Sequence, residues 1–525
     1  MLRDELEREN DIEELRRVAV ALHVANNQLI AQLRAKCKAL AKLTGNSAEL
    51  QQTLALINTL TAKQREAPQQ PPPSPDDSSL VSPEPAPAPP PRSKPDRTGP
   101  TPQPSLPVVA KIFKLDDADQ ACTACGKALR PWTGQFEASE MIEVIEARYQ
   151  VVEVKRQKYL CECKSCIETA LGPERASPGS RYSLDLALKV VVDKYMHSLP
   201  LNRQVAICAQ LGFVTSSSTL WELVYQIGQR LAPVSEALLA YALQQNIIGI
   251  DQTNWPRLDD ASGKPWQMWA VTVSGVGTFA VAAHRIADDK GAATMTALIG
   301  EFRGTIVCDQ AATHGAVAHA DASAIELAGC WAHIIRRFKA ASDDFPAAQT
   351  AVDLIRALYD IDATLDEREA LLHGLPLHHP RVVDFFACRA ALRDMASREV
   401  CARLLHWLQQ NRGPTVLSIH DAVEHTLKYW QRLTRFLDNP RIPLDNNATE
   451  RAFRGPVVGR KNYYGAKSRS GTQVAATIFT LIETCKLHRV PVVGYLRAAC
   501  LAANAGRVLL PWEFAAAGNN TTATA

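Results

Sequence analysis

The chain has 525 residues, of which 46% are hydrophobic and 22% charged, and its formal net charge is +3 with histidine neutral. This length is too great for one hydrophobic core and predicts three or more domains, while the composition is ordinary for a soluble globular protein. A net charge so close to zero says little about nucleic acid, so any such partner must be argued from local clusters of cations.

Targeting and redox signals point to the cytoplasm. No run of about 18 apolar residues occurs, and the polar start at Met1–Glu5 lacks the apolar stretch of a signal peptide, so we expect no membrane association. The 13 cysteines are an odd number and are mostly scattered singly through apolar segments. That pattern fits a reducing cytosol better than a disulfide framework.

A heptad pattern without proline runs through residues 1–65 and predicts a coiled coil that joins two copies of the chain. Asn26 at an inner position favours a dimer with a fixed register. A long amphipathic helix packed on its own chain is the alternative. The two inner positions of the pattern are occupied by Ile12, Ala19, Asn26, Leu33, Leu40, Ser47 and Leu54, and by Leu15, Leu22, Leu29, Lys36, Leu43, Leu50 and Ile57.

Residues 66–107 are rich in proline, serine and charged residues. Such a composition cannot bury a core, so we interpret this segment as an extended, disordered linker.

Two cysteine pairs predict a zinc-ribbon DNA-binding domain at residues 108–180. Cys122 and Cys125 form the first pair, and Cys163 and Cys166 the second, with alternating, strand-like residues between them. Four thiolates complete the tetrahedron that a structural Zn²⁺ requires. Cys161 competes with Cys163 as a ligand, and redox-active thiols are the rival interpretation.

Residues 181–243 predict a helix-turn-helix-like helical domain. A short helix at 201–208 and a second helix at 216–231 flank a turn at 211–213 that contains Gly212, and Ser217 or Ser218 is the expected N-cap of the second helix. Residues 216–221 would then open a recognition helix for DNA. A helix pair without DNA contact has the same pattern.

Residues 244–341 predict three strands, a helix, a strand, a short strand and a basic helix, in that order. This order matches a mixed sheet with one antiparallel edge, as in RNase H-like folds. We therefore predict a multidomain α/β protein whose catalytic core is RNase H-like. The five strands are predicted at 246–253, 268–274, 278–284, 304–309 and 324–328, and the two helices at 288–301 and 332–341.

Two of these strands end in an aspartate, Asp251 and Asp309. Side by side, two carboxylates repel, and two Mg²⁺ ions held about 3.5–4 Å apart would resolve that repulsion and polarise a phosphodiester. A turn or cap residue is the ordinary reason for an aspartate at a strand end. Glu450 is the candidate third ligand.

Residues 342–440 are predicted to be a helical insertion, 441–490 the last part of the core, and 491–525 a C-terminal helical tail. Between Arg441 and Ser470 seven cations face two acids, which gives a net charge of +5 around Glu450. A nuclease-like centre needs such a carboxylate for a metal and fixed cations for a phosphodiester, although a charge run is more often a solvated surface.

From about residue 120 to 500 the chain resembles the DDE transposases of the insertion sequence 66 family, large enzymes of bacterial mobile elements. The segments that carry the resemblance are 195–204, 329–338, 459–462, 481–487 and Leu444-Asp445-Asn446-Asn447-Ala448-Thr449-Glu450-Arg451-Ala452-Phe453-Arg454. The resemblance implies the DDE roles for Asp251, Asp309 and Glu450, with Mg²⁺ or Mn²⁺ as the catalytic metal. The side chains expected to contact DNA are Arg451, Arg454, Arg460, Lys461, His333, Arg336 and Arg337.

Cys330 and His333 could form half of a zinc site, but no second pair lies nearby in sequence. His333 would otherwise contact DNA or orient a carboxylate.

The resemblance implies a bacterial, nucleoid-associated enzyme that binds terminal inverted repeats and target DNA as a homodimer, with accessory proteins encoded beside it. It would hydrolyse a phosphodiester and transfer the freed strand. The alternative is a catalytically inactive, transposase-derived DNA-binding protein. The chain has Gln252 where the family usually has Glu, Gln310-Ala311 where it has Gly-Tyr, and Gly455 where it has Pro.

Overall fold

The computed structural model describes residues 108–110, 112, 127–131, 142, 148–160, 167–262, 266–274, 276–309, 325–342, 344–413 and 419–522. The predicted coiled coil, the linker and the predicted zinc ligands Cys122, Cys125, Cys163 and Cys166 lie outside these residues, so all of them stay predictions. One compact unit spans 63–147. Everything below concerns the described residues from 148 onward, which belong to the other unit.

A small hairpin opens this unit. Strands β1 (Lys158–Leu160) and β2 (Ile167–Thr169) pair antiparallel. Residues 148–157 form no strand, so the long strand-like stretch predicted before residue 159 is wrong over that part.

Three helices follow the hairpin: α1 (Leu184–Tyr195), α2 (Leu201–Gln210) and α3 (Ser217–Leu243). The predicted helix pair is therefore present, but α3 is longer than expected. Its N-cap is Ser216, whose hydroxyl accepts a hydrogen bond from the backbone N–H of Thr219 at 3.1 Å, rather than Ser217 or Ser218.

The central sheet is mixed, which confirms the predicted α/β class. Its strands lie in the order β5-β4-β3-β6-β7, in which β4 is antiparallel to both of its neighbours, β3 and β5, and β3, β6 and β7 are parallel. Their bounds are β3 (Ile247–Asn254), β4 (Gln267–Val273), β5 (Val281–Ala287), β6 (Gly304–Cys308) and β7 (Ile325–Gly329). Helix α4 (Ala292–Ile299) connects β5 to β6 and is shorter than predicted.

Helices make up most of the remaining chain. Those between β7 and residue 440 are α5 (Trp331–Ala341), α6 (Ala348–Asp362), α7 (Asp366–Ala370), α8 (Pro380–Leu392), α9 (Arg398–Gln410), α10 (His420–Lys428) and α11 (Trp430–Thr434). Those after it are α12 (Asn447–Ala452), α13 (Arg454–Tyr463), α14 (Arg469–Leu487), α15 (Val492–Asn504) and α16 (Pro511–Thr522). No helix in the described ranges has the length and apolar character needed to cross a bilayer.

The sheet lies between two hydrophobic cores. Ile306 and Cys308 of β6 belong to a core shared with α1, α3, α14 and α15, whereas Val307 belongs to a core shared with α5, α6 and α9. Because side chains alternate across a strand, each face of β6 is covered by a different set of helices. The segment predicted as an independent helix-turn-helix domain thus contributes, through α3, to the core of the sheet.

Strand β5 is an edge strand whose outward N–H groups are satisfied by a helix. The backbone N–H of Ala282 donates to the hydroxyl of Thr484 at 3.2 Å, and that of His284 donates to Thr480 at 2.8 Å. Both threonines lie on α14. This pairing protects an edge that would otherwise be open to another strand.

Helix α12 approaches β3 at a glycine. A Cβ on Gly249 would lie 2.2 Å from the hydroxyl of Thr449, 2.6 Å from that of Thr272 and 2.7 Å from the side-chain oxygen of Asn446. A glycine inside a strand often marks such a close approach. Only a residue without a side chain leaves room for α12 at this point.

A buried arginine holds the chain just before α12. Arg393 is fully buried and pairs with Asp362 through contacts of 2.9 and 2.5 Å. The same guanidinium donates to the carbonyls of Phe436 and Ile442, each at 2.9 Å. The helical region after β7 therefore fixes the backbone that leads into residues 444–450.

Gly249→Ala should destabilise the protein by about 1–3 kcal/mol, because an added methyl group overpacks the contact with Thr449 and Asn446. Chemical denaturation measures the loss. Gly494→Ala is the matched control, since its new Cβ would meet only Phe514 at 3.7 Å. A loss no greater than that of the control would contradict the role assigned to Gly249.

Arg393→Ala should cost about 3–5 kcal/mol, because it leaves the carboxylate of Asp362 buried with fewer partners and frees two backbone carbonyls. Arg398→Ala is the control, because that arginine pairs with Asp394 and Asp438 at the surface and should matter by less than about 1 kcal/mol. Equal free energies of unfolding for the two variants would count against a structural role for Arg393.

Candidate active site

The register of the sheet brings two predicted site residues together. Strands β3 and β6 are parallel, and their last paired residues are Gly249 and Val307. Continuing this register by two residues sets Asp251 beside Asp309. Because residues two apart face the same side of a strand, both aspartates share the face of Gly249, which is the face that α12 covers.

Two buried polar side chains dock α12 on this face. Asn446 donates from its side-chain nitrogen to the carbonyl of Ile250 at 3.0 Å, one residue before Asp251. The hydroxyls of Thr449 and Thr272 lie 2.6 Å apart. Asn446 and Thr449 are both buried, so these bonds form away from water and position the helix that carries Glu450.

Two residues of α5 approach Glu450. Its carboxylate accepts hydrogen bonds of 2.8 and 2.9 Å from one guanidinium nitrogen of Arg336, and its nearer oxygen lies 3.7 Å from the Nε2 of His333. The side chain of Glu450 is 30% exposed. A distance of 3.7 Å is too long for a hydrogen bond, so the prediction that His333 orients a carboxylate stays a prediction.

The ligand atoms of Cys330, His333 and Glu450 lie within 4.8 Å of one another, so these residues could hold a metal ion. Within the described part of the chain, Asp251, Asp309 and Glu450 do not form a group as close as this one. Burial raises the pKa of the Cys330 thiol to about 11, and its sulfur accepts a hydrogen bond from the backbone N–H of Asn446. In this structure Cys330 therefore helps to position residues 445–447.

The predicted DNA-contacting cations differ in their surroundings. Arg336 is engaged by Glu450, and Arg460 donates to the hydroxyl of Thr253 at 3.2 Å and to the carbonyl of Asn254, at the end of β3. The others are exposed at the surface: Arg337, Arg451, Arg454 and Lys461.

A family model described as "Transposase IS66 family" matches residues 179–474, which is more than half of the chain. The chain belongs to the IS66 family of transposases. The matched residues include β3, β6, α5 and α12, and therefore all three candidate acids.

Two relatives of this IS66 family chain come from Sinorhizobium fredii (strain NBRC 101917 / NGR234). The protein named "Uncharacterized protein y4qI" is 26% identical over 444 residues, which cover 81% of this chain and 80% of its own. The protein named "Uncharacterized protein y4hP" is 29% identical over 420 residues, which cover 75% of this chain and 73% of its own.

Several residues that build the site of this transposase were not predicted from the sequence. Gly249, Thr272 and His284 have no charge or motif that sets them apart, although a glycine within a strand was an available signal. Asn446 and Thr449 were noticed only as part of the family motif. Their buried contacts with β3 and β4 became visible only in the fold.

His284 ties the end of α12 to the sheet. It is fully buried, and its Nε2 lies 3.2 Å from the carbonyl of Ala452, so the neutral ring donates to that oxygen. Burial lowers the pKa of His284 to about 4. The ring therefore stays neutral in the native protein at pH values where an exposed histidine would be charged.

The stability of the protein should fall as the pH is lowered from 6.5 towards 4. In this window His284 binds a proton in the unfolded chain but not in the native protein. The free energy of unfolding should therefore fall by up to about 3 kcal/mol. Denaturation at several pH values measures this slope. His284→Gln, which can still donate to Ala452, should remove this part of the slope, while the exposed His197→Gln should keep it. An unchanged slope in His284→Gln would contradict the assignment.

Proposed function

We propose that this chain is an active DNA transposase that binds the terminal inverted repeats of a bacterial insertion sequence and catalyses divalent-metal-dependent cleavage and strand transfer. One observation carries the proposal: the parallel register of β3 and β6 aligns Asp251 with Asp309 on the face where α12 presents Glu450. The strand order, with an antiparallel pair added to a parallel half, supports an RNase H-like core.

The donor set suits Mg²⁺ or Mn²⁺, because hard cations prefer carboxylate oxygens and the three acids share one side of the sheet. Two such ions, when bound, would polarise the attacking and the leaving oxygen of a phosphodiester. Glu450 now engages Arg336, so it must exchange that partner to act with the two aspartates.

The reaction proposed has two displacements at phosphorus. In the first, a water oxygen forms a bond to phosphorus as the bond to the 3′ oxygen breaks, which leaves a 3′-OH and a 5′-phosphate. In the second, that 3′-OH attacks a phosphodiester of target DNA and displaces another 3′ oxygen. The first step replaces one phosphate ester bond by a bond to the oxygen of water, and the second replaces one phosphate ester bond by another. No further co-reactant is needed.

Exposed arginine and lysine side chains would bind the phosphates of DNA. Arg451, Arg454 and Lys461 are exposed and can contact phosphates, and Arg336 becomes available for a phosphate once Glu450 leaves it. His333 positions Glu450 from α5. We further propose that the zinc ribbon recognises the terminal repeats, and that the N-terminal coiled coil pairs two protomers.

Asp309→Ala should abolish metal-dependent nicking of a duplex that carries the terminal repeat, by more than about a hundredfold, because even the loss of a residue that supports a metal ligand costs about 10- to 100-fold. Gel electrophoresis of a labelled duplex with Mg²⁺ or Mn²⁺ measures the cleavage. Binding of the duplex, measured in Ca²⁺ without cleavage, should be unchanged.

Asp353→Ala is the matched control, because this aspartate is partly exposed on α6 and bonds, within the described part of the chain, to Gln349 and Arg356. It should nick as the unmodified protein does. Binding without nicking by the unmodified protein on its own element's ends would instead identify a DNA-binding protein that has lost its chemistry.

A further inference from the structure

A cavity of about 350 Å³ lies beside the sheet, away from the three candidate acids. This volume is within the range of small-molecule sites. Its walls come from the ends of α1 and α13, the first turns of α3 and α14, and the loop between α13 and α14. The lining residues used below are Lys194, Ser217, Ser218, Trp221, Tyr463 and Lys467.

Lys194 gives the cavity a positive charge without a counter-ion. Its Nζ lies 4.0 Å from the centre of the Tyr463 ring and 5.4 Å from that of Tyr195, and no carboxylate among the described residues pairs with it. Burial lowers the pKa of Lys194 to about 8. A cation held against aromatic rings and short of an acid is a natural partner for an anion.

Two helix N-termini beside the cavity also favour an anion. Ser217 and Ser218 form the first turn of the long helix α3, and Ser468 caps α14 by accepting from the N–H of Gly471 at 3.2 Å. Helix N-termini favour anions, especially phosphate. The buried hydroxyl of Tyr463 has no hydrogen-bond partner in the described part of the chain.

Trp221 adds an aromatic surface that is only partly buried. Aromatic side chains stack with any base and make a nucleotide site tolerant of sequence. The cavity therefore combines the two requirements of a nucleotide: a cationic region for the phosphate and a flat apolar surface for the base.

We propose that this cavity binds one unpaired nucleotide of a DNA strand, with its phosphate near Lys194 and Lys467 and its base against Trp221. The proposal rests on the function proposed above, in which the chain handles DNA ends. It assigns to the start of α3 a contact with a single strand, in place of the major-groove contact expected of a recognition helix.

The position of the cavity suits this role. Leu258, seven residues after Asp251 in the chain, lines its wall, and the backbone N–H of Leu258 donates to the carbonyl of Ala466 at 2.9 Å. Seven residues span at most about 25 Å even when fully extended. The wall at Leu258 is therefore no farther than this from Asp251, on the side of the sheet that α1, α3 and α14 cover.

The test uses two fluorescein-labelled duplexes of the same sequence, one blunt and one with a short single-stranded overhang, and measures binding to the full-length protein by fluorescence anisotropy. The unmodified protein should bind the overhang duplex more tightly. Lys194→Met and Trp221→Leu should each weaken binding of that duplex by about tenfold and leave the blunt duplex unaffected.

Two further variants secure the result. Lys189→Met is the control, because Lys189 lies on the same helix, outside the cavity, and pairs with Asp193 at 2.6 Å; it should keep the preference. Ser218 is exposed in the first turn of α3, where an acidic residue does not destabilise the helix. Ser218→Glu adds a negative charge at the cavity and should remove the preference for the overhang duplex.

The outcomes separate this inference from the proposed function. No binding of either duplex by the unmodified protein would overturn the proposed function as well. Equal binding of the two duplexes, or a preference that survives in Lys194→Met and Ser218→Glu, would overturn the nucleotide site alone.

Discussion

The docking of α12 on the middle of the sheet is the contact on which the arrangement of the acids depends. A short helix cannot hold its own orientation, since few of its hydrogen bonds are internal. Here Gly249 provides the space, and Asn446 and Thr449 provide directional bonds to β3 and β4. Without them Glu450 would sit on a six-residue helix with no fixed direction.

The helical region after β7 contributes to this geometry from a distance. Arg393 and Asp362 are buried charges, which are costly to desolvate and are compensated here by several hydrogen bonds. The buried guanidinium binds the two carbonyls that precede the Asp445-Asn446-Asn447 segment. The helical region after β7 is thus part of the framework of the site.

Much of the sheet could be predicted from the sequence, because its strands are short apolar runs bounded by turns. That reasoning predicts Asp251 and Asp309 at neighbouring strand ends; the register aligns the two positions, but β3 continues three residues past Asp251 to Asn254. The orientation of Glu450 could not be predicted, because it depends on Arg336, a residue on another helix. The length of α3 was also missed, because Pro233 lies inside this helix and a proline ordinarily ends one, although apolar residues continue beyond it at helical spacing. Those apolar residues, Leu231, Val234 and Leu238 among them, are buried in the core shared with the sheet.

The edge of the sheet has a consequence for how the protein is made. Strand β5 is synthesised long before α14, yet Thr480 and Thr484 of α14 are the partners of its outward N–H groups. While the polypeptide is still on the ribosome, the edge of β5 stays unpaired until α14 has been synthesised. A product that stops before α14 would keep β5 open to other strands and would be prone to aggregate. Premature termination before α14 would therefore favour insoluble fragments over soluble ones.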